Sequence, residues 1–463
     1  MTKSIPYSLS LEKRQIVTEK LRSSVFVFWM CAFLLLPITI VAQNSTEQKY
    51  QLTLSEAVQL AKRQNQSVQA ANIEENAVDE DRKDVYKSAL PVINAGSSYQ
   101  RFSNLILFTD GLNHSTSGSR KPTPNSANLG IDVSFNIYSG GKQKALQNEQ
   151  NSRLKLAKLN TLDTSGNAAF QTASEYLELL KLNESQKFIL DQLKRAQIRL
   201  ENINSLYKNQ KVTKSDVLRA QVILSNVELS LQQNQNDIGI TNQKLIVLMD
   251  LPDSIKLSPI DSAGISKPEI NSLLPLIERT ESSSFSIQKS AENVELQRTK
   301  VKTVQSNNMP SLSFFSAYGL NYPNYLFFPP VDQAYAIGFV GLKLQYNISS
   351  IYQNKNKLTA AKMRVKELEL IQKENTHIIN SQIKAYYIKY EEALNRISVN
   401  EKSVEQAKVN YRIVNTKYLN QLALLTDLLD ADNLYQESRL NLVKAQTDAL
   451  TIYYHILYTS GNL

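Results

Sequence analysis

Two aspartates near the end of the sequence, Asp427 and Asp430, have a spacing suited to chemistry at the start of a helix. They follow a predicted turn near Asn420 to Thr426, which must lead the chain into its final helical stretch. A carboxylate at the N-cap and a second one at N3 both accept hydrogen bonds from free N–H groups and favour the positive end of the helix dipole. The spacing therefore predicts a capped helix start.

Residues suited to catalysis or tight metal binding are scarce. Cys31 is the only cysteine, and the three histidines, His114, His377 and His455, are far apart in the sequence. Thiolate metal sites, iron–sulfur clusters, disulfide scaffolds and cysteine nucleophiles all require cysteines. No HExxH or HxH spacing is present either. The sequence predicts a protein that is not an enzyme, with no catalytic residue, no cofactor and no metal site.

The first 42 residues have the pattern of a secretory signal. Five basic residues precede an apolar stretch that begins at Val25, and the small residue Ala42 precedes Gln43. A basic region, an apolar region and a small residue in this order are typical of a cleavable signal, so we expect cleavage near 42/43. The alternative is an uncleaved anchor helix. Cys31 lies in the apolar stretch, so the mature chain would contain no cysteine.

The charge pattern gives little support for nucleic-acid binding. The formal net charge is +9, and about +6 remains once the leader is removed. Lys and Arg are interspersed with Asp and Glu and do not form runs. Such a pattern favours a solvated helix surface over a nucleic-acid groove, so no nucleic-acid partner is expected.

Long helices dominate the predicted elements. No proline occurs from Asn125 to Leu251 or from Val331 to Leu463. Between Lys142 and Leu206 the apolar residues recur every three or four positions. At about 1.5 Å per residue this stretch would form a rod of roughly 100 Å. A rod of that length requires partner helices along its whole length.

Two segments alternate apolar and polar residues, as expected for strands with one apolar and one polar face. The apolar positions are Ile131, Val133 and Phe135 in the first segment, and Leu342, Leu344 and Tyr346 in the second. The stretch Pro91 to Phe108 also reads as extended, and a polar loop from Thr109 to Asn128 separates it from the first of these strands. The pattern predicts a hairpin.

The sequence contains an internal duplication. A shift of 211 aligns Tyr207 with Tyr418, and a shift of 219 further upstream aligns Pro91 with Pro310. Each copy is predicted to contain a helix, a two-stranded hairpin, a long helix, a turn and a second long helix. The predicted divisions are a signal at 1–42, a first repeat at 43–251, a linker at 252–270 and a second repeat at 271–463.

Four strands per chain are too few for a membrane barrel. A barrel that crosses a bilayer needs at least about eight strands, because every backbone group must be paired. Closure would therefore require several chains, and three chains would supply twelve strands in a symmetric ring. The predicted fold is mainly α with a small β part, in which the long helices continue from the strands and pack into a tube.

Three motifs resemble TolC-type outer-membrane efflux factors. They are "FNIYSGGK" at 135–142 before a long helix, "YKNQKVTKSDVLRAQ" at 207–221, and its echo "YLNQLALLTDLLDAD" at 418–432. The resemblance extends from Leu52 to Gly461. The family usually has a glycine three residues after the tyrosine, where this chain has Gln210 and Gln421.

The resemblance implies a homotrimer whose 12-stranded β-barrel lies in outer-membrane lipid and continues into a long periplasmic α-helical barrel. Its implied function is the outer-membrane channel of a tripartite efflux or type I secretion system, a passive exit duct. The implied partners are a periplasmic adaptor (membrane fusion) protein and an inner-membrane transporter. The alternative is a periplasmic coiled-coil adaptor or scaffold.

The resemblance also assigns roles to particular residues. It places Asp427 and Asp430 in rings at a periplasmic gate, and it pairs Tyr418 with Asp216 in a contact that locks the gate. From the residues alone, Tyr418 is equally well a core aromatic, and Asp216 fits a capping box with Thr213. The implied lipid-facing positions are Ile131, Val133, Phe135, Leu342, Leu344 and Tyr346. The implied adaptor-facing tips are Asn209, Gln210, Lys211, Asn420, Gln421 and Leu422, which are otherwise ordinary turn residues.

Overall fold

The computed structural model describes residues 48–103, 123–261, 270, 272–327 and 331–463. The predicted signal at 1–42 and most of the first hairpin loop lie outside the described residues. Among the helices of the described part, none is both long enough and apolar enough to cross a membrane.

The first half of the chain contains three strands and four helices in its described part. In chain order these are β1 (Gln48–Leu52), α1 (Leu54–Gln64), α2 (Gln66–Lys87), β2 (Val92–Arg101), β3 (Asn125–Ser139), α3 (Lys142–Lys208) and α4 (Lys214–Met249).

The described second half contains three strands and five helices. These are β4 (Ile255–Pro259), α5 (Leu273–Ser283), α6 (Phe285–Ser306), β5 (Ser311–Tyr322), β6 (Tyr335–Gln345), α7 (Ser350–Gln353), α8 (Lys355–Leu419) and α9 (Leu425–Thr459).

Helices at corresponding places in the two halves have similar lengths. Helices α1 and α5 have 11 residues each, and α2 and α6 have 22 each. The long helices α3 and α8 have 67 and 65 residues, and α4 and α9 have 36 and 35. Each half therefore ends in a hairpin of two long helices.

The single helix expected at the start of each copy is divided in two. In the first half the break is at Asn65, whose side-chain oxygen accepts hydrogen bonds from the N–H groups of Ser67 at 3.0 Å and Val68 at 3.4 Å. The backbone N–H of Asn65 still donates to the carbonyl of Ala61. Asn65 thus ends α1 and caps α2, which is the typical role of an asparagine at a helix start.

The strand boundaries differ from the predicted ones in several places. Strand β3 begins at Asn125, inside the segment predicted to be loop, and β6 ends at Gln345, so Tyr346 lies just beyond it. Strands β1 and β4 were not predicted, and β4 lies within the expected linker. These two strands pair with each other, a long-range contact that neither short segment signals by itself. Pro91 and Pro310, which the shift of 219 aligns, directly precede β2 and β5.

The other four strands form one antiparallel sheet in the order β2-β3-β5-β6. Phe135 of β3 lies opposite Phe314 of β5, which lies opposite Leu342 of β6. The register shifts between Asn136 and Tyr138, so Ile137 is the extra residue of a bulge and ends the predicted alternation. Within the chain, β2 and β6 are the two edges of this sheet.

The junction between β3 and α3 requires glycine. Gly140 and Gly141 both have positive φ, at +64° and +82°. A Cβ at Gly140 would lie 2.5 Å from the Cβ of Met309 and 2.7 Å from the carbonyl oxygen of Ser306, at the end of α6. Only glycine fits this close approach, which fixes where the long helix leaves the sheet.

The two helical hairpins pack against each other through one helix of each, α3 and α9. Helix α3 packs against α4, and α8 packs against α9, while α3 and α9 contact each other across the pair of hairpins. The largest core cluster lies around Tyr176 and Leu177 of α3 and includes Leu450 of α9 and apolar residues of α1. Helices α4 and α8 therefore flank the central pair, α3 and α9.

A buried tyrosine ties the short sheet to this core. The hydroxyl of Tyr176 lies 2.9 Å from the carbonyl oxygen of Leu52 and 2.8 Å from the carboxylate of Asp261. The same carboxylate accepts a hydrogen bond from the N–H of Leu54 at the start of α1. Burial, followed by the hydrogen bond with Asp261, raises the pKa of Tyr176 well above its ordinary value, so the hydroxyl stays protonated and acts as a donor.

Replacing Tyr176 by Phe should lower the free energy of unfolding by about 1–3 kcal/mol, because buried oxygen atoms lose their donor. Chemical denaturation followed by circular dichroism measures the change. Tyr387→Phe at the aligned position of the second copy is the control, since Tyr387 is less buried. An equal loss in both variants would contradict the role assigned to the Tyr176 hydroxyl.

Candidate functional site

The turns that join the long helices have the same backbone conformation in both halves. Gln210 and Gln421 both have a left-handed φ, at 58° and 62°. In each turn the N–H of the next residue donates back across the helix end, from Lys211 to Leu206 at 2.9 Å and from Leu422 to Lys417 at 2.8 Å. These are the bonds of a helix end closed by a left-handed residue. Glutamine thus adopts the left-handed turn conformation that glycine usually provides. The left-handed backbone raises the conformational energy by about 1–2 kcal/mol per residue.

The six predicted tip residues are all exposed in the chain: Asn209, Gln210, Lys211, Asn420, Gln421 and Leu422. Asn209 and Asn420 make equivalent bonds, each donating from its side-chain nitrogen to a carbonyl four residues earlier at 2.8 Å. The second tip also exposes Leu419 and Leu424, whereas the first is basic through Lys208 and Lys211. The two tips share a backbone and differ in surface chemistry.

Asp216 forms the capping box with Thr213 that was predicted from the residues alone. Its carboxylate accepts hydrogen bonds from the N–H of Thr213 at 2.9 Å and from the Thr213 hydroxyl at 2.7 Å. The N–H of Asp216 in turn donates to that hydroxyl at 3.3 Å. The bonds from Thr213 lower the pKa of the Asp216 carboxyl. Asp216 therefore stabilises the start of α4.

The predicted capping positions of Asp427 and Asp430 were wrong by one helical turn. Helix α9 begins at Leu425, so Leu424 is the N-cap and Asp427 is at N3. Asp427 accepts a hydrogen bond from the N–H of Leu424 at 3.0 Å. Leu424 has no hydroxyl group, so only the bond from the N-cap N–H to the aspartate is shared with Thr213 and Asp216. The bonds that involve the Thr213 hydroxyl have no counterpart. Both aspartates are exposed, and their role at a gate stays a prediction.

Tyr418 lies at the end of α8, within electrostatic range of both Arg199 and Asp216. Burial raises the pKa of Tyr418 above its ordinary value, the positive charge of Arg199 opposes this shift, and the negative charge of Asp216 adds to it. The Asp216 carboxylate is already bonded to Thr213. The predicted direct contact between Tyr418 and Asp216 stays a prediction.

A buried ion cluster that the sequence analysis missed lies close to these turns. The carboxylate of Asp432 accepts from Nε of Arg195 at 3.2 Å and from Nη2 of Arg199 at 2.9 Å. The side chains of Asp432 and Arg199 are 3% and 9% exposed. Because the arginines belong to α3 and the aspartate to α9, the cluster joins the two helical hairpins. The available signal was Asp432 itself, a charge on the face of α9 that also carries Leu428 and Leu429.

Aromatic rings extend this cluster along the helices. The guanidinium of Arg195 lies 5.9 Å from the ring centre of Tyr411, which stacks on Tyr435 at 6.0 Å. Arg439 of α9 lies 3.7 Å from the ring centre of Phe188 on α3. We call this set of contacts the α3–α9 seam: Phe188, Arg195 and Arg199 of α3, Asp432, Tyr435 and Arg439 of α9, and Tyr411 of the adjoining α8.

The sheet has an apolar face, as the alternation predicted, whereas the opposite face is polar in β3 and carries Phe315 and Phe339 in β5 and β6. Residues directly opposite one another in an antiparallel pair share a face, so Ile131, Val133, Phe135, Leu342 and Leu344 all lie on the same side. Leu342 and Leu344 are 65% and 72% exposed. The opposite face carries polar contacts, including a hydrogen bond from Asn94 to the carboxylate of Asp132 at 3.0 Å. Contact of the apolar face with lipid stays a prediction.

Within the described ranges, no group of three or more His, Cys, Asp or Glu side chains is placed to hold a metal ion. The side chains described above form exposed surfaces, turns and contacts between helices.

One family model matches the first half of the chain. Residues 57–249 match the family model described as outer membrane efflux protein. No curated protein matches the chain.

Solved structures share the fold at low sequence identity. The outer-membrane channel OprN is 16% identical with a TM-score of 0.75, over 89% of this chain and 90% of that one. VceC from Vibrio cholerae is 17% identical with a TM-score of 0.72, over 88% and 96%. The CmeC outer membrane channel of Campylobacter jejuni is 17% identical with a TM-score of 0.73, over 88% and 85%. The chain therefore has the fold of these outer-membrane channels, and its residues 57–249 are similar to the outer membrane efflux protein family.

Proposed function

We propose that this chain forms the outer-membrane channel of a tripartite efflux or type I secretion system and acts as a passive exit duct. In this proposal a homotrimer lies in the outer membrane, extends into the periplasm, and meets a periplasmic adaptor and an inner-membrane transporter. The observation that carries the proposal is a four-stranded sheet with an exposed apolar face, joined to long helical hairpins, whose two edge strands pair with no further strand of the described residues.

The sheet edges support assembly from several chains. Because the four strands alternate in direction, the edge strands β2 and β6 run antiparallel to each other. Strand β6 of one chain can therefore pair with β2 of the next and keep a ring of sheets antiparallel throughout. Three chains would give twelve strands and leave no edge unpaired, which a bilayer demands. The strands have 10 to 15 residues, enough for the roughly 9 to 11 residues that a strand needs to cross a bilayer.

Helices α4 and α8, which flank the central pair, support the same assembly. Leucine, isoleucine and valine side chains are exposed along α4, among them Leu218, Val222 and Leu229. Helix α8 similarly exposes Met363 and Leu370. In a ring, α8 of one chain would pack against α4 of its neighbour and cover both stripes. A monomeric scaffold would leave these stripes and the apolar sheet face in water.

The proposed trimer supports a gate role for Asp427 and Asp430. Both side chains are exposed close to the second tip, and three-fold symmetry would bring six carboxylates toward the axis. A narrow passage with low dielectric surroundings weakens screening, so this end of the channel should favour cations.

Replacing both aspartates by asparagine should reduce cation preference several-fold and weaken block by trivalent cations. Single-channel recording in planar bilayers measures both properties. Stability should change little, because an asparagine oxygen can still accept the N–H of Leu424. Glu437→Gln is the control, since it removes an exposed charge farther along the same helix. Selectivity and block that survive the double substitution would leave these aspartates with a structural role alone.

A further inference from the structure

We propose that this chain carries a docking surface for anionic phospholipid headgroups, formed by exposed lysines where four helices meet the sheet. The inference rests on the proposed function, because the sheet then lies in the outer membrane and this level of the chain meets the periplasmic leaflet. We call the surface the junction band, and it consists of six lysines: Lys87, Lys142, Lys144, Lys302, Lys355 and Lys357.

Side-chain contacts bring the four helix ends together. The side chain of Gln143, at the start of α3, donates to the carbonyl oxygen of Val85, near the end of α2, at 2.7 Å. The side chain of Asn354, directly before α8, donates to the carbonyl oxygen of Val304, near the end of α6, at 2.7 Å. The close approach of Gly140 to the end of α6 links the two pairs. The six lysines therefore lie near one level of the chain.

This level is strongly basic. The six residues nearest the sheet in each of α2, α3, α6 and α8 include eight basic residues and one acidic residue, Asp84. All six lysines of the junction band are exposed. Within the described part of the chain, none of them forms an ion pair with a carboxylate. Their positive charge is thus available to a partner outside the chain.

Farther from the sheet, basic side chains of the same helices pair with carboxylates of the chain itself. Arg153 of α3 lies 2.9 Å from Glu149, and Arg298 of α6 lies 2.7 Å from Glu369 of α8. Like charges gathered without such carboxylates repel one another, and an external anion relieves that repulsion. The junction band therefore differs from the helix surface beyond it.

The apolar face of the sheet ends close to the junction band. Its paired row nearest the helices consists of Tyr138, Leu312 and Leu344, which lie opposite one another. Tyr138 is exposed and precedes Lys142 by four residues, and tyrosine favours the boundary between hydrocarbon and headgroups. Lysines just beyond this boundary extend toward lipid phosphates, and an anionic membrane surface attracts each of them. Continuity with the apolar face thus favours a lipid as the occupant.

Two lysines of the junction band line a cavity between the start of α3 and the end of α6. The cavity has a volume of about 290 Å³. Lys144, Asn148, Lys302 and Gln305 supply N–H donors around it, and none of its described lining residues is acidic. Ammonium groups donate strong, charge-assisted hydrogen bonds to phosphate oxygens. The lining therefore favours an anionic headgroup.

The test is native mass spectrometry of the purified protein in a neutral detergent, which counts the lipids that stay bound. Phosphatidylglycerol is the anionic probe, and phosphatidylcholine with the same acyl chains is the probe without net charge. We expect the wild type to retain phosphatidylglycerol in preference. In the double variant Lys144→Gln with Lys302→Gln, that preference should fall about tenfold, because each lysine near an anionic surface strengthens binding several-fold.

Two further double variants separate the effect of this site from general charge and from folding. Lys158→Gln with Lys373→Gln removes the same charge from exposed positions of α3 and α8, roughly 20 Å along the helices from Lys144 and Lys357. It should keep the wild-type preference. Lys144→Arg with Lys302→Arg keeps the positive charge and should keep the preference as well.

A wild type that binds the two lipids equally would overturn the docking surface. So would a loss in the distant control pair as large as the loss in the junction pair. Loss of the preference in excess inorganic phosphate would assign the cavity to a free anion and would also overturn the lipid assignment. Each of these results leaves the channel intact. A wild-type chain found as a water-soluble periplasmic monomer would instead refute the proposed function.

Discussion

Phe135→Arg and Leu342→Arg should each destabilise the membrane-inserted protein by about 2–4 kcal/mol, the cost of an arginine at the bilayer midplane of a barrel. Phe314 lies directly opposite both residues in the sheet, so Phe135, Phe314 and Leu342 share its apolar face. Urea unfolding of the protein in lipid vesicles measures the change, and loss of heat-resistant trimers should accompany it.

Ser134→Arg is the matched control for this row. Ser134 neighbours Phe135 in β3, and its side chain lies on the opposite face of the sheet, where β3 carries the polar residues Asp132 and Asn136. Its substitution should cost under about 1 kcal/mol, because a position facing the lumen tolerates charge. Equal losses from Ser134→Arg and Phe135→Arg would show that the two faces meet similar surroundings, and the lipid assignment would be wrong.

Asp432→Ala should produce a large loss of stability. Removing the carboxylate leaves Arg195 and Arg199 without their shared counter-charge, and breaking a buried ion pair typically costs about 3–5 kcal/mol. Thermal or chemical unfolding followed by circular dichroism measures the loss. Asp430→Ala, two residues earlier and exposed, should change stability by under about 0.5 kcal/mol.

A compensated variant separates charge from packing in the same cluster. Arg195→Met, Arg199→Leu and Asp432→Leu together remove all three charges and keep most of the side-chain volume. Apolar replacement of a buried ionic group is often neutral or stabilising, so we expect this triple variant to recover most of the stability. A triple variant as unstable as Asp432→Ala would mean that the site depends on shape and that the charges contribute little.

The sequence predicted the elements whose signal is local and repeated. The long helices follow from uninterrupted three- and four-residue periodicity between Lys142 and Leu206. The apolar face follows from alternation around Phe135 and Leu342. The capping box of Asp216 follows from Thr213 three residues earlier. In each case neighbours in the sequence determine the structure.

The features that were missed depend on residues far apart in the sequence or on a tolerated conformational cost. Asp432 pairs with Arg199, 233 positions away, and no local pattern links them. Strands β1 and β4 are each five residues long. They pair with each other although most of the first half of the chain lies between them. Gln210 and Gln421 adopt a conformation that favours glycine, so residue preference gave no indication of it.

The most direct test of the account is the mass of the particle that detergent extracts from the outer membrane of cells producing this chain. Native mass spectrometry should give three copies of the chain in that fraction, because one four-stranded sheet cannot close a pore alone. A chain recovered from the periplasm as a water-soluble monomer would contradict the channel and would favour a scaffold instead.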